Sequence, residues 1–254
     1  MSHFCGFVIN TPDCPMDIEE SLKAYWEELE LPMHKVLTKE QIIEKGRERI
    51  KDYEENWYKE YLKDPVDYKR KHTNPEHVKY ISEEFPKKLE WTDEQVYEDY
   101  ISYYREDIEN GADWCRIGLD GSLWKTTNEN AKWDWYDEGG RWSEGIRTKD
   151  GKYVNVCALK DIDWTEFTDD DYEKEEKEDF WGKKYRPLKE GVKWHFTKSS
   201  VPFCLVVDGE WFEKANMGWW GMTSNEKKDW NETFHDILSK LPEDSEVTLV
   251  DFHI

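Results

Sequence analysis

The chain begins and ends on runs that read as strands. His3-Phe-Cys-Gly-Phe-Val-Ile9 is rich in Phe, Val and Ile and is closed by the turn-prone Asn10-Thr11-Pro12-Asp13, and Val247-Thr-Leu-Val-Asp-Phe-His253 is a second run of the same kind. Both are apolar enough to be central strands, and a central strand needs a neighbour on each side. The two are therefore expected side by side in one sheet.

Between them the pattern is first helical. Thr38-Lys-Glu-Gln41 has the form of a capping box, and Ile42, Ile43, Ile50, Tyr53 and Trp57 follow near helical spacing until Asp64-Pro65 stops the run. Asn74-Pro75 offers an N-cap with proline at the first helical position. Thr92-Asp-Glu-Gln95 opens a further helix with Val96, Tyr100, Tyr103, Tyr104 and Ile108 as its apolar or aromatic positions. Residues 38–110 thus read as a helical insertion. From Trp114 the runs become short and alternating, and Asp120-Gly121, Asp150-Gly151 and Asp208-Gly209 mark β-hairpins. Trp230, Phe234, Ile237, Leu238 and Leu241 return to helical spacing before the last strand. This order predicts an α+β fold, with a mixed or antiparallel sheet joining the terminal strands, a helical insertion and several hairpins. The expected organisation is a single domain over residues 1–254, in which residues 161–179, with eleven acids and two lysines, form an exposed helix or a poorly ordered connector.

A core of the usual kind is scarce. Hydrophobic and charged residues each make up 37%, a balance that by itself favours disorder. Fifteen Trp, fourteen Tyr and ten Phe argue the other way, since each ring buries a large area and a core can be built with little Leu or Ile. Fifty-eight acidic against thirty-six basic side chains give a net charge of −22, which repels nucleic-acid phosphates and anionic membrane surfaces. Generic nucleic-acid binding and membrane attachment are therefore not expected. The charge serves solubility, or it lets an acidic surface imitate nucleic acid or dock on a basic protein. The five cysteines are odd in number, widely spaced and free of any CxxC pair, so no disulfide framework or zinc site is signalled. The apolar start is too short for a signal peptide and lacks a basic flank, and no window nears the roughly 18 apolar residues of a membrane helix. A cytoplasmic location is expected.

The most unusual stretch is Lys132-Trp133-Asp134-Trp135-Tyr136-Asp137-Glu138-Gly139-Gly140-Arg141-Trp142. If extended, it sets Trp133 and Trp135 on one face and Lys132, Asp134 and Tyr136 on the other. Gly139-Gly140 then permits a turn closed to residues with a Cβ and returns Arg141 and Trp142 beside the first strand. Indole faces stack on bases or accept cations, and a guanidinium grips phosphate or carboxylate at two points. The alternative is that these tryptophans are core and that Arg141 pairs with Asp134 or Asp137. Trp219 and Trp220, set between Gly218 and Gly221, carry the same two readings. A second group of candidates is His3 on the first strand with Asp251 and His253 on the last, which converge if those strands pair. No metal-spacing motif accompanies them, so they read as structural, and neither a metal nor a cofactor is expected. Nucleotide-loop, dinucleotide, serine-hydrolase and HExxH metalloprotease patterns are absent, and no catalytic residue is assigned.

The opening Met1-Ser2-His3-Phe4, the segment Asn130-Ala-Lys-Trp-Asp-Trp-Tyr136 with Gly139-Gly-Arg-Trp-Ser143, and the ending Val250-Asp-Phe-His-Ile254 together resemble a family of phage and prophage proteins without an assigned function. Those proteins begin MSHF and carry an NPNxKWDWYxIGGRW motif. This chain departs from the pattern at Glu129, where the family has Pro, and at Glu138, where it has an apolar residue. The resemblance implies a viral accessory protein in a bacterial host cytoplasm and no known reaction. Three functions follow in order of expectation. The first is a binding protein that blocks or diverts a host factor, such as a component of a defence system. The second is a binder of a small nucleotide-like ligand, such as a signal sponge, at the Trp/Arg segment. The third is a nucleotide-processing enzyme using His3, Asp251 and His253.

Overall fold

The computed structural model describes residues 2–179, 182–218 and 222–254. The chain divides into two compact units, one made of residues 1–29 and 130–254 and the other of residues 30–129.

In the first unit the terminal strands His3–Asn10 and Glu246–His253 lie side by side, antiparallel, from His3 opposite His253 to Asn10 opposite Glu246. Cys204–Val207 pairs in parallel with the other edge of the first strand, and Glu210–Glu213 closes a hairpin onto it. On the far side, Tyr136–Glu138 and Val156–Ala158 both pair with the last strand, completing a mixed six-stranded sheet. The expected α+β fold with both terminal strands in one sheet is thus observed.

Side-chain alternation divides the sheet into two apolar faces. Phe7, Ile9, Leu205, Val247 and Leu249 face one core, which is covered by Trp230, Phe234 and Leu238 of the helix Trp230–Leu238. Phe4, Val8, Cys204, Val206, Val250 and Phe252 face the other, with Leu22 of the short helix Ile18–Leu22 and with Trp133. Aromatic rings fill both, as a Leu-poor chain requires.

The second unit carries the helices. Thr38 and Thr92 both form capping boxes, with Gln41 and Gln95, and open the helices Lys39–Tyr53 and Asp93–Glu109. Pro65 does more than stop the preceding helix: Asp64 caps a new one, Pro65–Lys71, in which the proline takes the first turn where its missing N–H costs nothing. On Asp93–Glu109 the buried face is Val96, Tyr97 and Ile101, while the aromatic Tyr103 is exposed. A three-stranded sheet of His34–Leu37, Leu123–Lys125 and Cys115–Ile117 belongs to this unit. All three Asp-Gly pairs lie at the expected hairpins. Residues 161–179 hold a 3₁₀ turn at Asp169–Asp171 and a short strand, Lys177–Glu178, in place of a helix. No helix among the described residues is long and apolar enough to cross a membrane.

Candidate functional site

The Trp-rich segment does not run as one extended strand. Before it joins the sheet at Tyr136, Lys132 N–H donates to Tyr25 O at 2.8 Å and Trp133 bridges to Trp26. That detour breaks the expected alternation of Trp133 and Trp135. Trp133 is 7% exposed, donates Nε1–H to Leu22 O at 3.2 Å and meets Trp26 and Tyr136, so it is core. Trp135 is 40% exposed and lies over His253, with ring centroids 3.0 Å apart. Tyr136 packs with Phe252, and Lys132 is paired with Glu213 at 2.7 Å. Asp134 accepts the Trp135 N–H on its carboxylate.

The glycine pair acts as its chemistry predicts. Gly139 and Gly140 have φ of 74° and 47°, in the left-handed region. A Cβ on Gly140 would stand 2.4 Å from Cβ of Asp251. This close approach lets Arg141 N–H donate to Asp251 Oδ2 at 3.0 Å. The Arg141 side chain is exposed, and among the described residues no hydrogen bond or ion pair holds its guanidinium, neither Asp134 nor Asp137 serving as partner. Trp142 turns inward against the core of the first unit. Trp219 and Trp220 lie outside the described residues.

Strand register brings the second group of candidates together. His3 faces His253 across the central pair, and Asp251, two residues back, shares their side of the sheet. His3 Nδ1–H donates to Asp251 Oδ1 at 3.0 Å, and the two histidine rings have centroids 3.5 Å apart. Asp251 is 1% and His253 3% exposed. Among the described residues, neither ring nitrogen of His253 has a hydrogen-bond partner. A buried polar atom left in that state costs about 1–3 kcal/mol. Cys5, on the same side, is no nucleophile, because burial pushes its thiol up to about 12. The arrangement therefore offers acid–base and ligand groups without an activated nucleophile.

Burial holds His253 below the ordinary histidine value of 6.5, with the charges of His3 and Arg141 acting in the same direction and those of Asp251 and Asp134 opposing. In the unfolded chain the ring takes its proton near 6.5, while in the fold it stays neutral to lower pH. Its contribution is thus fully present above 6.5 and is lost as the pH falls below that value. Thermal unfolding of chelator-treated protein is expected to show a larger fall in midpoint on acidification from pH 7.5 to 5.5 for wild type than for His253→Gln. Equal slopes would remove His253 from the acid response.

Beside Trp135 runs a surface groove of about 350 Å³, lined by Trp26, Trp133, Tyr136, Lys23 and Glu19. The Lys23–Trp26 stretch was not legible as part of a site from sequence. Its sequence signal is Asp17, which caps the helix Ile18–Leu22 ahead of Tyr25-Trp26, and Trp26 Nε1–H donates to Asp134 O at 3.0 Å. Compared with family models, curated proteins and solved structures, the chain gives no significant match.

Proposed function

We propose that this chain acts by binding, and that Trp135 and Arg141 form its recognition site for a flat anionic ligand of the nucleotide kind. The observation that carries the reading is the exposed Trp135 face over His253 together with the exposed Arg141 guanidinium, which no hydrogen bond or ion pair holds among the described residues and whose backbone N–H is tied to Asp251 on the same strand as His253. An indole face stacks a base, and a guanidinium grips phosphate at two points. The net charge of −22 opposes anion capture at long range, and Lys23, in the groove beside Trp135, supplies local positive charge against it.

A second reading is supported by the resemblance to phage and prophage proteins and by the excess of acid. There the chain is an accessory protein that blocks or diverts a host defence factor, and Trp135 and Arg141 are its hot spots. Both readings belong to the cytoplasm of a bacterial host. A nucleotide-processing reaction at His3, Asp251 and His253 has less in its support, since no activated nucleophile stands beside them.

Mass spectrometry of molecules released from purified protein, followed by calorimetry with the nucleotide found, tests the first reading. Arg141→Ala is expected to weaken binding by about 1.5–3 kcal/mol while leaving the thermal midpoint nearly unchanged. A lowered midpoint with intact affinity would end the case for Arg141 as a ligand contact. Co-purification of a host protein, with no nucleotide bound, transfers the case to the second reading.

A further inference from the structure

Two imidazoles and a carboxylate, the donor set of many transition-metal centres, meet at the end of the sheet, with ligand atoms from His3, Asp251 and His253 all within 4.8 Å of one another. They stand on the two central, mutually paired strands, so their backbone positions are held by ladder hydrogen bonds. The carboxylate is already oriented, because Arg141 N–H donates to Asp251 Oδ2 at 3.0 Å. Outer hydrogen bonds of this kind fix ligating carboxylates. A second observation is independent of the clustering: His253 is 3% exposed, yet both its ring nitrogens lack a hydrogen-bond partner among the described residues. Native interiors retain few such atoms, and each calls for an explanation such as an ion.

We propose that His3, Asp251 and His253 bind one divalent transition-metal ion of the zinc class. Tetrahedral ligand atoms about 2.0–2.2 Å from one ion stand about 3.3–3.6 Å apart, so atoms now within 4.8 Å of one another draw together by up to about 1.5 Å on closure. Rotation of the side chains supplies that. Three protein ligands leave a coordination position for a further group. The site stands whether or not Trp135 and Arg141 bind a nucleotide. Elsewhere His72 and His77 have ring centroids 5.5 Å apart, but His77 Nε2 is engaged by the Tyr68 hydroxyl at 2.7 Å, and no third donor joins them among the described residues.

The test uses the full chain, dialysed against a chelator and titrated with zinc chloride by calorimetry and with cobalt(II) by visible absorption. One equivalent of zinc is expected, with ligand-field bands appearing on cobalt addition. His253→Gln and His3→Gln should each weaken binding at least tenfold, and His72→Gln should leave it unchanged. His3→Gln guards the interpretation, because the His3 side chain lies at the sheet's end with 10% exposure, and its circular dichroism should match wild type. Wild type that takes up no zinc overturns the proposal. So does full-strength binding by the double variant His3→Gln, His253→Gln. Loss of nucleotide binding with zinc binding intact, or the reverse, separates this site from the recognition surface.

Discussion

Gly140→Ala is expected to destabilise the first unit by about 2–5 kcal/mol, the sum of left-handed strain and forced repacking. The strain follows from a φ of 47°, and the repacking from a Cβ that would stand 2.4 Å from Asp251 Cβ and 2.5 Å from its Oδ2. Backbone and a buried carboxylate on a central strand have nowhere to retreat. Gly151 is the control, because its φ is 84° but nothing lies within 4 Å of an added Cβ. Gly151→Ala should lose only the strain, about 1–2 kcal/mol. Denaturant unfolding followed by tryptophan fluorescence compares the two. Equal losses would mean that the Gly-Gly turn is not seated on Asp251.

The two tryptophans that the sequence presents as a pair are expected to separate completely. Trp133→Ala should cost about 3–5 kcal/mol, the range for a large aromatic removed from a core, since Trp133 is 7% exposed and hydrogen-bonded to Leu22 O. Trp135→Ala should change stability by less than about 1 kcal/mol, as surface replacements do, while ligand affinity falls with the stacking face. Urea unfolding and a binding isotherm on each variant read both quantities. If Trp135→Ala unfolds the protein and Trp133→Ala does not, the division of the segment into a core half and an exposed half is wrong.

Much of the architecture was legible because short-range chemistry set it. Thr38, Thr92, Asp64 and Asn74 satisfy helix N–H groups within three residues, so their signals survive without knowledge of the fold. The Asp-Gly pairs set hairpins for the same reason. The pairing of the terminal strands was legible at one remove, from apolar character on both faces. With it came the convergence of His3, Asp251 and His253, because opposite residues and i, i+2 neighbours share a face.

What was not legible depended on distant partners. The face shared by Trp133 and Trp135 failed because Tyr25 and Trp26, more than a hundred residues earlier, draw Lys132 and Trp133 out of the strand. Tyr103 and Tyr97 are equally aromatic, and only packing partners decide that Tyr97 is buried and Tyr103 exposed. His34–Leu37, a strand of four residues beside a strong capping box, has too little alternation to be read alone. The two readings of Arg141 in the sequence differ only in whether a carboxylate reaches it, a question that tertiary geometry alone answers.

Ser2 N–H donates to Ile254 O at 3.0 Å, and Ile254 N–H to Ser2 O at 3.2 Å, so the cluster of His3 and Asp251 joins side chains 248 positions apart. Closing a loop of that size costs about 5 kcal/mol of chain entropy. During synthesis the first strand therefore waits for its central neighbour, with His3 present and the other two members of the cluster not yet made. The site has no partial version: a chain ending at residue 245 lacks a middle strand of the sheet and two donors together. Whatever this cluster binds is thus bound only by molecules whose sheet has closed, and occupancy of the site marks the folded population within a growing one.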